Sequence, residues 1–89
     1  MPSSTLAISN RIKRARKARG LTQQVLSERL QVTRGAIGHW EQGAAYPSTA
    51  KLSSLAAVLD IPLEWLIKGG PSPFKDQQNS GKTSSFIGV

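Results

Sequence analysis

Eighty-nine residues with 12 Lys or Arg against 5 Asp or Glu make a small, strongly basic chain. A chain of this size buries only about 60% of the surface that its unfolded form exposes, so one small core and one domain are all it can hold. With no cysteine and a single histidine, it has no disulfide framework, no zinc cluster and no Ser-His-Asp chemistry; an enzyme is disfavoured, and neither a metal nor a cofactor is expected.

In chain order, residues 1–5 read as a flexible arm. A first helix is expected from near Ser9, with Ile8, Ile12, Ala15 and Arg19 sharing one face. Gly20 ends it, and Leu21 turns back into the core. The second helix runs from about Gln23 to Leu30, with Thr22 as its N-cap and Leu26 and Leu30 as its inner stripe. After only Gln31 and Val32, Thr33 caps a third helix that points Ile37 and Trp40 inward until Gly43 stops it. The loop Ala44-Ala45-Tyr46-Pro47 leads to a fourth helix, capped by Ser48, whose Leu52, Leu55, Ala56 and Leu59 form a buried stripe. Pro62 suits only the start of a helix, so a short fifth helix follows, from about Leu63 to Lys68. Gly69 and Gly70 then close the domain.

Beyond them, residues 71–89 are rich in turn formers and poor in aliphatics, which reads as a linker or tail without fixed structure. Its last residues, Phe86-Ile87-Gly88-Val89, are apolar and look like the beginning of another element cut short. The domain itself is expected over residues 6–70. No apolar run is long enough to span a membrane, and the first six residues lack the features of a signal peptide, which together point to a cytoplasmic, nucleoid-associated protein.

Two short amphipathic helices, each opened by a threonine and separated by a tight turn, make a helix-turn-helix. The second helix of such a pair is shaped to lie in the major groove of DNA. Charge agrees with that reading: up to Gly43 the chain has eight Lys or Arg against Glu28 and Glu41, and after it four against three. The basic character sits in the half that would face phosphates, although the run from Arg11 to Arg19 is equally read as a solvated helix face.

The residues Gly20-Leu21-Thr22-Gln23, Leu26, Leu30, Val32, Ile37, Trp40-Glu41, Gly43, Pro47, Leu52, Leu55-Ala56, Leu59 and Leu66 to Gly69 resemble the Cro/cI-type phage-repressor family, also called the XRE family. The likeness covers about residues 6–70. It implies an all-α, compact, five-helix, lambda-repressor-like domain that binds double-stranded operator DNA as a two-fold dimer and regulates transcription. Carried onto this chain, it places Gln23 at the amino end of the second helix, where family members grip a phosphate; the alternative is a simple first-turn glutamine.

On the recognition helix, Thr33, Arg34, Gly35, Gly38 and His39 form the exposed face. Arg34 is the foremost base reader, since a guanidinium donates two bonds to guanine; its alternative is a phosphate clamp. Gly35 and Gly38 cost the helix about 1 to 2 kcal/mol together relative to alanine. They are read as letting the backbone approach the groove floor, with Gly35 or Ala36 against a thymine methyl, or else as drift at an undemanding surface. His39 contacts a base or a phosphate, or is merely solvated. Thr33, Gln42, Ser48 and Lys51 are phosphate contacts, with Tyr46 or the Ser48 amide serving the loop.

The resemblance also implies a structural ion pair, Arg16 with Glu41, tying the first helix to the recognition helix, and makes Trp40 core rather than a stacking platform. Trp65 and Ile67 are candidates for a dimer seam, because so short a helix cannot bury Leu63, Trp65, Leu66 and Ile67 in one core; alternatively Trp65 caps the monomer core. Gln31 stands where relatives commonly carry glycine, which suggests a slightly different turn at a cost of about 1 to 2 kcal/mol. Two further readings stand beside a phage-type repressor. One is the amino-terminal part of a longer repressor. The other is an antitoxin that neutralises a toxin through Phe74, Phe86 and Ile87 of its tail and autoregulates its operon, so a toxin or an antirepressor is a possible protein partner.

Overall fold

Local signals in the chain punctuate it into helices before any packing is considered. Thr22, Thr33 and Ser48 each hold an extended backbone and accept, through the side-chain oxygen, a bond from the amide three residues on, at 3.0, 3.1 and 3.2 Å. Each satisfies one of the donors that a helix start leaves unpaired. The computed structural model describes residues 3–74 and has five helices: α1 Ser3–Ala18, α2 Gln23–Leu30, α3 Arg34–Gln42, α4 Thr49–Leu59 and α5 Leu63–Lys68. No strand occurs among the described residues. Four of the helices fall where the sequence places them. The exception is α1, which begins at Ser3 rather than near Ser9 and so takes residues 3–5 out of the expected arm.

Helix stops are equally local. Gly43 closes α3 with φ 78°, a left-handed backbone that costs glycine little, and its amide bonds the Trp40 carbonyl at 3.3 Å. Gln31 closes α2 in the same conformation, φ 60° and ψ 45°, without glycine's freedom. The turn therefore keeps the ordinary left-handed geometry instead of adopting a different one, and the Gln31 side chain carries the strain.

The core forms where the inner faces meet. Ile8, Ile12 and Ala15 of α1, Leu26 and Leu30 of α2, Ile37 and Trp40 of α3, and Leu52, Leu55 and Leu59 of α4 are all buried in one cluster. In this arrangement α1 packs on α3, α4 and α5, while α2 packs on α3 and α4. Arg19, read as part of the inner face of α1, lies beyond the end of that helix and is exposed. Its guanidinium instead reaches across to the Leu59 and Asp60 carbonyls at 2.7 and 2.8 Å, capping the end of α4.

Two expectations about the carboxyl end are corrected. The domain does not close at Gly70: Phe74 is buried, with its ring edge-on to Trp65 at 5.5 Å and 88°. Arg14 and Arg19 lie over the Phe74 ring at 6.0 and 5.3 Å, so residues 71–74 form a strap held on the domain rather than the start of a tail. Trp65, in contact with that strap, is buried in the core of the single chain at 6% exposure, which takes it out of the expected dimer seam; Ile67, at 40%, and Leu63, at 37%, are the exposed apolar residues of α5. Residues 75–89, including Phe86, Ile87 and the apolar ending, lie outside the described residues.

Candidate nucleic-acid interface

Ile37 and Trp40 lie three residues apart on one side of α3, and burying both turns the opposite side of the helix outward. On that side Thr33, Arg34, Gly35, His39 and Gln42 are exposed, and Gly38 is half-buried. Arg34, Gly35, Gly38, His39 and Gln42, together with Gln23 from α2, line one shallow concavity of the surface. Three residue types matter there: donors and acceptors on flexible stems, a guanidinium, and two glycines. The side chains of Arg34, His39 and Gln42 have no hydrogen-bond or ion-pair partner among the described residues, so their polar ends are available to a ligand.

Behind this face lies a buried polar network. Arg16 donates from Nε to Glu41 Oε2 at 2.6 Å and from Nη2 to Glu41 Oε1 at 3.1 Å, a two-pronged pairing, and from Nη1 to the Leu21 carbonyl at 2.9 Å. The side chains are 11% and 3% exposed. The ion pair expected from the resemblance is therefore present and shielded from water. Removing one partner would strand the other in the interior, a loss of about 3 to 5 kcal/mol. Gln23 joins the same network, donating from Nε2 to Glu41 Oε1 at 3.1 Å. The carboxylate thus holds α1, α2 and α3 together, and it fixes the glutamine at the lip of the concavity. That role of Glu41 toward Gln23 had no signal in the sequence, because the two residues are eighteen apart on different helices.

The remaining predicted contacts lie elsewhere. Ser48 caps α4, and Lys51 in the first turn of that helix donates from Nζ to the Leu30 carbonyl at 3.4 Å, tying α4 to the end of α2. Neither lines the concavity with Arg34 and Gln23. Tyr46 is 52% exposed in the loop between α3 and α4. Thr33 combines exposure with its cap bond to the Ala36 amide. Ala36, read with Gly35 as facing a thymine methyl, is half-buried against the core, whereas Gly35 is exposed.

The basic run of α1 has a different use from the one its charge suggests. Arg11 donates from Nη1 to the Leu66 and Ile67 carbonyls at 3.1 and 3.0 Å, capping α5 as Arg19 caps α4. Arg14 reaches Ser72 Oγ at 3.4 Å on the strap. Cations at helix carboxyl ends are favourable partners for the unpaired carbonyls. Four arginines thus bind the chain to itself, and the exposed Lys13 and Lys17 are left as solvated charges of that helix.

Comparison with known proteins agrees with this architecture. The helix-turn-helix family HTH_3 matches residues 12–66. Over 61 residues the chain is 36% identical to the HTH-type transcriptional regulator YqaE of Bacillus subtilis, covering 68% of this chain and 53% of that protein. It is 30% identical over 64 residues to the HTH-type transcriptional activator BcrR of Enterococcus faecalis, covering 72% of this chain and 31% of that one. The chain therefore spans about half, or less, of the length of these relatives. Among solved structures, the P22 c2 repressor in complex with a synthetic operator superposes with a TM-score of 0.68 at 28% identity, covering 71% of this chain and 96% of that one. With its helices, its Arg16–Glu41 tie and its outward α3 all in place, the chain belongs to the helix-turn-helix family of the Cro/cI (XRE) type, a family of DNA-binding domains of transcription regulators.

Proposed function

We propose that this chain is a sequence-specific regulator of phage-repressor type, which lays α3 in the major groove of a palindromic operator and binds it as a dimer. The observation that carries this reading is the unpartnered Arg34, flanked by His39 and Gln42, on the outer side of a helix whose inner side is anchored by Ile37 and Trp40. The P22 c2 repressor, whose structure was solved in complex with a synthetic operator, supports it by likeness. In this reading Arg34 donates to a guanine and His39 to a neighbouring base or phosphate. Gln23 and the first-turn amides of α2 meet a phosphate, as anions favour a helix amino end. Thr33, Gln42, Ser48 and Lys51 add backbone contacts that set the register. Leu63 and Ile67, the exposed apolar pair of α5, supply the seam between two copies, which places half-sites about 34 Å apart.

Selection of bound duplexes from a random pool tests the proposal. A symmetric consensus is the expected result. Arg34→Ala should then relax preference at one base pair per half-site, by about 1 to 3 kcal/mol, whereas Gln23→Ala should weaken every sequence about equally. An unselective pool, or equal losses on specific and random DNA for both variants, overturns it. The antitoxin reading is weakened by the strap: Phe74, one of the three apolar residues that would meet a toxin, is buried in the domain.

A further inference from the structure

Gly38 occupies the middle of α3, where glycine is about 1 kcal/mol worse than alanine, and nothing inside the chain asks for it. Its φ is not positive, so the backbone does not require glycine. A Cβ built on it would meet no atom within 4 Å, so packing does not require glycine either. Its amide, as in any helix interior, is already committed to the carbonyl four residues back, that of Arg34, so it is no spare donor. What remains is a half-buried Cα with no side chain, an apolar gap in the lining of the concavity, with Arg34 one turn before it and Gln42 one turn after. Gly35 differs: it lies in the first turn, where amides lack helical partners, and its Cβ would sit 3.9 Å from Thr33 Oγ1.

We propose, building on the DNA-reading role above, that Gly38 is a specificity-determining position whose missing side chain leaves a notch for the C5-methyl group of a thymine. The complement of an apolar patch with no donor and no acceptor is an apolar group. Among the base edges in the major groove, the thymine methyl is the one such group. The polar rim serves the same end: a guanidinium one turn away reads the adjacent pair by hydrogen bonds while the notch reads its neighbour by shape. The helix gives up intrinsic stability at Gly38 to keep that space open.

A methyl-for-methyl cycle with the full chain tests this on the duplex selected by the wild-type protein. In DNA, thymines of the half-site are replaced one at a time by deoxyuridine, which lacks only the methyl. In the protein, Gly38→Ala adds one. The variant should melt at a higher temperature, which shows that it is folded. At one thymine, wild type should lose on the order of fourfold in affinity when the methyl is removed, the worth of one buried methyl. At the same thymine, Gly38→Ala should bind about tenfold more weakly than wild type, as overpacking demands. On the deoxyuridine duplex the variant should return to within about twofold of wild type, because the two methyls compete for one space. The proposal is overturned if no deoxyuridine replacement changes wild-type binding, or if Gly38→Ala loses equally on both duplexes. Either result leaves the selected consensus, and with it the DNA-reading role, intact. If the wild-type protein selects no consensus at all, the DNA-reading role itself is what fails.

Discussion

At Gln31 the chain holds a left-handed backbone, φ 60°, with a residue that carries a Cβ. The conformation is set from outside the residue: the Gln31 amide must reach the Glu28 carbonyl at 3.3 Å and the Val32 amide the Ser27 carbonyl at 3.0 Å for α2 to end and α3 to begin two residues later. Since a Cβ in that region costs about 1 to 2 kcal/mol, Gln31→Gly should stabilise the domain, offset in part by glycine's greater freedom when unfolded. A net gain of about 0.5 to 1 kcal/mol, read as a rise of several degrees in thermal melting by circular dichroism, is expected. Asp60, φ 55°, shows the same geometry at the end of α4, where its amide meets the Ala56 and Ala57 carbonyls. Gly69 is the contrasting case. With φ 86° and the Arg11 guanidinium 2.5 Å from where its Cβ would stand, a side chain there would be strained in its backbone and would push Arg11 from its place at the end of α5.

Between elements, the joints are polar and the filling is apolar. Arg16, Glu41 and Gln23 join three helices behind the recognition face, and Arg11 and Arg19 clip the ends of α5 and α4 to α1. The strap of residues 71–74 completes the core on the side of α5, where Phe74 packs edge-on against the buried Trp65. Phe74→Ala should therefore cost about 3 kcal/mol, seen as a lower urea midpoint with α-helical content preserved at low denaturant. Wild-type stability in that variant would show that the ring adds nothing to the core. The strap lies beyond residues 12–66, the stretch matched by the family.

For the whole molecule, the distribution of charge divides into two populations that composition cannot tell apart. Arg11, Arg14, Arg16 and Arg19 are occupied with carbonyls, a hydroxyl, a carboxylate and an aromatic ring, whereas Arg34 has no partner among the described residues. Counterion release depends only on charges that meet phosphates. Arg19→Ala should accordingly lower stability by about 1 kcal/mol, since it loses one part-buried and one exposed bond to the end of α4, and leave the salt dependence of DNA affinity unchanged. A shallower plot of log affinity against log salt in that variant would place Arg19 at the DNA instead.

Caps, stops and inner stripes were readable from the chain because each depends on neighbours within a turn or two. Thr22, Thr33, Ser48 and Gly43 fall where a helix must start or end, and Leu26, Leu30, Ile37 and Trp40 repeat with the helical period. The outward face of α3 follows from the same period, as the complement of the buried one. The longer reach of α1 was not readable, since its first residues, Ser3, Ser4 and Thr5, are types that serve a helix cap and a loop equally well. Nor were the partners of the arginines, the shared carboxylate of Glu41 or the docking of Phe74, each of which joins residues far apart in the chain. Sequence determined the five helices and the side of α3 that looks outward, because hydrogen-bond demand and apolar periodicity act locally. Only the tertiary structure decided which cations are spent on holding the fold and which remain for a partner, because that choice depends on which helix ends come within a guanidinium's reach.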